Sequence, residues 1–296
     1  MRSFFLICSI MLIVASSCRK ELDFEFPDYP KLPVINCILS ADSLINAHIS
    51  LTDKQNDYPI GIIDNALVTI NPGVGQGDTL VYQDEGLYFS KIYVIPGQEY
   101  ICSLTVPDIS TIVCSTFIPQ KPKILDLKYL GVQNKISGGD VDFTISGFAE
   151  IQISFLTDQV ESEYFELLLN SEHTKHNNCD PVFVNEGIPY ALFSNELATS
   201  DTFNINLQFP AGPLMNMIQS FNESDSIAKN IFVELRKVNK DYYTYFKDLY
   251  FYLQGRYPGF GNGQLPVQLY SNIKEGMGIF AGYSSTVSDT LNFIYK

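Results

Sequence analysis

Apolar and polar residues alternate with period two through most of the chain, in short runs bounded by turn-forming residues. Such alternation marks strands with one buried face. The first runs fall at residues 33–39, 45–51, 66–70, 79–82, 87–90, 99–106 and 111–118, and clusters such as Asn71-Pro72-Gly73, Asp84-Glu85-Gly86 and Ile95-Pro96-Gly97 separate most of them. Short strands at this spacing, with no helical period between them, predict an immunoglobulin-like β-sandwich over residues 32–118.

Pro119-Gln120-Lys121-Pro122 breaks the pattern, because two prolines remove ladder donors and bias the chain toward an extended connector. Beyond it, runs at residues 124–131, 142–146, 151–156, 164–170 and 202–209 predict a second, larger β-rich domain over residues 123–296. One segment of that domain changes period. Over residues 239–255, Tyr242, Phe246, Leu249, Tyr250 and Leu253 share a face at helical spacing, with Asn239 as cap and Gly255 at the end. This predicts one amphipathic helix laid on the sheet, and a Tyr/Phe stripe of this kind reads as core before it reads as a ligand groove. The fold class expected is therefore mainly β, a sandwich followed by a larger β-rich domain with one amphipathic helix.

The N-terminus follows a different rule. Arg2 precedes a largely apolar run over residues 4–14 and small residues before Cys18, the layout of a secretory signal peptide over residues 1–17. The run is shorter than the roughly 20 residues that cross a bilayer as a helix. Ala15-Ser16-Ser17-Cys18 resembles the lipobox of bacterial lipoproteins, which predicts cleavage before Cys18 and acyl chains on its thiol. Two or three such chains hold a soluble body stably on a membrane. Residues 18–31 are charged and punctuated by proline, as a tether would be. Acids soon after Cys18 resemble the signal that sends some Bacteroidota lipoproteins to the outer face of the outer membrane, although Arg19-Lys20 come first here.

Composition sharpens this picture in two respects. With 33 acidic against 19 basic residues and a net charge of −14, the chain is a poor partner for nucleic acid or anionic lipid. Four cysteines, Cys37, Cys102, Cys114 and Cys179, follow Cys18. Cys102 and Cys114 flank a turn at residues 107–109, so a disulfide across a hairpin and a pair of buried thiols are both open, and strand register decides between them.

Candidate chemistry is sparse. His173, His176, Cys179 and Asp180 share one polar loop and are ligand types for Zn²⁺ or Cu²⁺, but their spacing matches no established site. His48 falls within a predicted strand. Asp140, Asp142 and Glu150 fit no defined calcium motif. Gly259-Phe260-Gly261-Asn262-Gly263 lacks the lysine and the following helix of a phosphate loop, and no Gly-x-Ser-x-Gly elbow occurs. The expectation is a chain with no catalytic set and no cofactor.

Four segments carry a likeness to a known group: residues 32–39, residues 65–70, Val233-Glu234-Leu235-Arg236 leading into Asp241-Tyr242-Tyr243-Thr244-Tyr245, and residues 270–280, whose Asn-Ile-x-x-Gly-x-Gly-x-Phe pattern is the most specific. In these the chain resembles the Bacteroidota lipoproteins grouped as domain-of-unknown-function family 4249. The resemblance implies an N-terminal sandwich, a larger C-terminal β domain, and genes that often sit beside an outer-membrane TonB-dependent receptor. It carries over no catalytic residue. Gly276 and Gly278 between apolar neighbours predict a tight corner that locks the end of the chain to a sheet. The expected role is a non-enzymatic, outer-membrane-anchored binding or accessory protein working with such a receptor in nutrient uptake. A structural or adhesive envelope lipoprotein is the alternative, and a hydrolase with acids assembled in space the remoter one.

Overall fold

The computed structural model describes residues 31–52, 61–138, 143–171, 182–183, 191–210, 227–256 and 268–295. The lipidation candidate Cys18, the signal segment and the tether up to residue 30 lie outside the described residues. The chain from Leu32 onward clusters as one compact unit, and it is mainly β with one α-helix among the described residues.

The strands, in chain order, are β1 (Pro33–Ser40), β2 (Leu44–Leu51), β3 (Leu67–Pro72), β4 (Asp78–Thr79), β5 (Val81–Tyr82), β6 (Leu87–Tyr93), β7 (Glu99–Thr105), β8 (Ile112–Phe117), β9 (Ile124–Gly138), β10 (Phe143–Leu156), β11 (Tyr164–Ser171), β12 (Val182–Phe183), β13 (Leu192–Ser194), β14 (Thr202–Pro210), β15 (Ile227–Val238), β16 (Met277–Val287) and β17 (Leu291–Tyr295); the helix α1 is Lys240–Arg256. They form a nine-stranded sheet in the order β13-β11-β15-β16-β1-β2-β6-β5, with β17 also paired to β15, and two four-stranded sheets, β4-β3-β7-β8 and β12-β14-β10-β9.

Alternation places the cores. In β1, Ile35, Cys37 and Leu39 are buried and meet Ile45, Ala47 and Ile49 of β2, Tyr100, Cys102 and Leu104 of β7, and Ile112 and Cys114 of β8. These residues fill a sandwich between the β1–β2–β6–β5 end of the large sheet and the β4-β3-β7-β8 sheet. A second core joins Ile151, Ile153 and Phe155 of β10, Phe165, Leu167 and Leu169 of β11, Ile205 and Leu207 of β14, and Val233 and Leu235 of β15. The buried residues of the first core run up to Ile118 and those of the second begin at Ala149, but Ile273 and Phe280 from the far end of the chain sit in the first.

One strand joins them. β16 runs parallel to β1, Val34 opposite Met277 through Ser40 opposite Tyr283, and antiparallel to β15 from Val238–Tyr283 to Glu234–Val287. Cys37 pairs with Phe280 and Leu235 with Thr286, so both cores lie on the same face of the large sheet. The opposite face carries α1. There Leu192, Val238, Ile279 and Ala281 bury Tyr242, with Tyr243, Tyr245 and Phe246 packed alongside. The helix begins as expected: Asn239 Oδ1 accepts the amide of Tyr242 at 2.9 Å. Its packed face differs from the expected one. Tyr250 and Leu253, placed on the buried stripe by their spacing, are 37% and 46% exposed, because the helix meets the sheet through its first two turns. Gly255, expected to end the helix, lies inside its last turn. Among the described residues, no helix is long and apolar enough to cross a membrane.

Register settles the cysteine question. Cys102 stands directly opposite Cys114, and Cys37, Cys102 and Cys114 are all buried free thiols. Gly73 donates its amide to the Glu99 carbonyl and Ile118 to that of Gln98, so odd residues of β7 bond to β3 and even residues to β8. Cys102 and Cys114 therefore form a hydrogen-bonded pair. Side chains in such pairs stand about 5.5 Å apart at Cβ, beyond the roughly 3.5–4.5 Å that a disulfide spans. The contact with Cys102, and then burial, push the Cys114 thiol up, and burial does the same to Cys37.

Two outcomes are expected. In the native protein Cys37, Cys102 and Cys114 resist an aqueous thiol reagent and react once guanidinium unfolds the chain, which peptide mapping by mass spectrometry reads directly. Gly278→Ala places a Cβ 2.1 Å from the Ile35 carbonyl oxygen at a φ of +102°, and lowers stability in urea titration by about 3 kcal/mol or more.

Candidate functional site

Most of the candidates read from sequence lie outside the described residues. His173, His176, Cys179 and Asp180 lie outside the described residues, as do Asp140, Asp142 and the glycine-rich loop at 259–263. His48 stands mid-β2 opposite Asn36 and Leu87, on the face away from the core. Glu150 is nearly buried on β10 and accepts the Asn206 amide at 3.3 Å. Among the described residues no group of three or more His, Cys, Asp or Glu side chains is placed to hold a metal ion. A solvent-facing cleft of about 270 Å³ between β9 and the β16–β17 turn, lined by Ile124, Asp126, Leu127, Thr286 and Asp289 among others, is smaller than the roughly 300–1,000 Å³ of small-molecule pockets.

The polar groups that do converge lie under α1, on the face of the large sheet opposite the cores. Glu234 and Arg236 are two residues apart on β15 and so share a face, and Glu166 of β11 stands opposite Arg236 in register. The Arg236 guanidinium donates from Nη1 to Glu166 Oε2 at 3.0 Å and from Nε to Glu234 Oε1 at 2.8 Å, while lying 4.6 Å over the ring of Tyr283. Tyr242, from the first turn of the helix, donates its hydroxyl to Glu166 Oε2 at 2.8 Å. The three charged side chains are about four-fifths buried. Burial opposes the charge on Arg236, but the Glu234 hydrogen bond, with Tyr283 and Glu166 beside it, outweighs that and holds the group above its ordinary value. Burial, reinforced by Glu166, pushes the Tyr242 phenol well up.

A second polar knot ties the helix to the chain that precedes β16. Asp241 accepts the Tyr270 hydroxyl at 2.6 Å and the Asn272 amide at 3.2 Å. Asn272 in turn clasps Phe280, donating to its carbonyl at 2.8 Å and accepting its amide at 3.0 Å. Ile273 drops into the first core, and a Cβ at Gly276 would stand 2.8 Å from the Pro33 carbonyl. The Asn-Ile-x-x-Gly-x-Gly-x-Phe segment is thus a corner that seats β16 against β1. Asn239 completes the tie from its amide to Thr116 Oγ1 at 2.6 Å, reaching the other sheet of the first sandwich.

Chemically, these clusters bind the fold to itself. Arg236 spends its donors on two carboxylates, and a phenol held neutral by burial is a hydrogen-bond donor rather than a base. Sequence reasoning passed over Glu166 and Arg236 as a pair, since 70 residues separate them. The available signal was the Glu-x-Arg spacing on one strand face.

The phenols make this region sensitive to high pH. Burial, then its hydrogen bond to Asp241, pushes Tyr270 up to about 12. The native state therefore holds a proton that the unfolded chain releases near pH 10, so stability falls as pH rises from about 10 to 12, and Tyr242 extends the loss further. Urea midpoints between pH 9 and 12 should decline, and Tyr270→Phe should flatten the first part of the decline.

No curated protein matches the chain. The model of one family, described as a domain of unknown function, matches residues 19–289, which takes in β1 to β16, the corner and both polar knots. A match over nearly the whole chain settles the assignment: the protein belongs to the family of the domain of unknown function DUF4249.

Proposed function

We propose that the protein is an exported lipoprotein held on the outer membrane by acyl chains on Cys18, and that it serves, without catalysis, as a binding or accessory partner of a TonB-dependent receptor in nutrient uptake. The observation that carries the reading is the N-terminal pattern: Arg2, the apolar run over residues 4–14, and Ala15-Ser16-Ser17-Cys18 ahead of a charged tether. Residues 18–31 reach at most roughly 50 Å when fully extended, which would keep the body beside whatever shares its membrane. The gene neighbourhood implied by the family resemblance supplies the receptor as the partner. The body adds support of a physical kind, since a continuous sheet backed by two cores is a rigid platform of the sort that docks against another protein.

The experiment is recovery of tagged protein, gently solubilised from its native membrane, with mass spectrometry of what accompanies it. The expected result is a TonB-dependent receptor in near-equal amount. Recovery of the lipoprotein alone from membranes that contain such receptors would count against the partnership and favour an adhesive or structural envelope role. A Cys18→Ala variant, expected to leave the membrane fraction, tests the anchor separately.

A further inference from the structure

The second half of α1 leaves the sheet. Phe246 is the last helix residue packed against the cluster beneath it, and Tyr252 lies about 9 Å farther along the axis. There the helix carries five uncharged residues in a row, Leu249-Tyr250-Phe251-Tyr252-Leu253. The last four are 37%, 41%, 41% and 46% exposed, and none of them belongs to a core.

Their arrangement restricts what can cover them. Consecutive helix residues point about 100° apart, so four in a row face all round the axis. A protein groove takes one stripe of a helix and leaves the opposite side in water. A fluid surface closes on every side at once. The chemistry agrees: a tyrosine joins an apolar ring to a hydroxyl that keeps to water, the combination that collects where lipid headgroups meet acyl chains. The backbone offers no obstacle, because the helix continues to Arg256 and the carbonyls of Tyr250, Phe251 and Tyr252 are bonded within it.

We propose that this end of α1 dips into the lipid surface to which the protein is tethered, as a second and weaker contact beside the acyl chains of Cys18. The inference rests on the lipoprotein reading of the N-terminus, which supplies the membrane. Residues 18–31 span at most roughly 50 Å, so the tether holds the body near that surface and raises the effective concentration of the tip there. Charge selects the lipid. A net charge of −14 disfavours an anionic surface, whereas an uncharged aromatic tip enters a zwitterionic one by burial of apolar area alone. The tip lies in the interface, roughly 5–10 Å deep, and the helix does not cross the bilayer. Held at two points, the body is oriented on the membrane instead of swivelling on its tether.

The chain contains no tryptophan, so Tyr252→Trp gives it a single fluorophore at the tip. The full lipidated chain is mixed with phosphatidylcholine vesicles. The expected result is a blue-shifted emission that brominated phosphatidylcholine quenches. Adding Phe251→Glu and Leu253→Glu should cut that quenching roughly tenfold, with the far-ultraviolet circular dichroism unchanged, because charges resist burial in lipid. If the glutamates unfold the chain, the tryptophan readout decides alone. Flotation of the chain with the vesicles reads the Cys18 anchor separately, so a chain that fails to float and is still quenched loses the anchor and keeps the tip. An emission that vesicles leave unchanged while the chain floats overturns the proposal, whether or not a receptor shifts it. So does quenching that survives in a folded glutamate variant.

Discussion

β16 hydrogen-bonds to β1 on one side and to β15 on the other, and the remaining architecture depends on that double pairing. Without it the first sandwich would end at β1 and the second at β15, each with an open edge. With it, one sheet runs through both cores, and a strand from near the end of the described chain lies at the middle of that sheet. Burial on both faces holds the strand in place: Phe280 enters the first core, while Ile279 and Ala281 pack beneath the helix. Its small residues serve the same end, since β1 passes too close at Gly278 and Gly282 for any side chain.

The polar clusters follow from the same geometry. A strand pair that brings β15 beside β16 puts Arg236 over Tyr283 and faces it to Glu166, and the helix that follows β15 drops Tyr242 onto the same carboxylate. Asp241, one residue earlier, receives the chain that returns toward β16. Charges this deeply buried are costly unless they are partnered, and here one guanidinium serves both Glu166 and Glu234, while Tyr242 adds a hydrogen bond to Glu166 and Tyr270 and Asn272 hold Asp241. Three of the four segments that carry the family likeness, around β1, β15–α1 and β16, thus converge on one place, which gives the likeness a structural meaning: it marks how the sheet is closed.

That reading bears on function. The most specific sequence pattern in the chain is spent on architecture, through the Asn272 clasp and the two glycines, and the semi-buried charges tie the helix down. Recognition is therefore better sought on the margins of the sheets than in this buried region.

The first sandwich was legible from period and turn residues because its strands are local: alternating burial in β1, β7 and β8 follows the alternation of residue types, and hairpin turns set most of their neighbours. The cap at Asn239 was legible for the same reason. β15, β16 and β17 were not read as strands. β16 reads Met-Gly-Ile-Phe-Ala-Gly-Tyr-Ser-Ser-Thr-Val, where two glycines, an alanine and two serines interrupt the residues that favour strands, and it becomes a strand because both its neighbours and both its faces are supplied from elsewhere in the chain. The state of Cys102 and Cys114, the packed turns of α1 and the pairing of Glu166 with Arg236 were likewise settled by register. Local pattern determines which residues alternate and where the chain turns; contacts across more than 200 residues, such as Cys37 with Phe280, determine which strands become neighbours, because only the folded chain brings those groups within bonding distance.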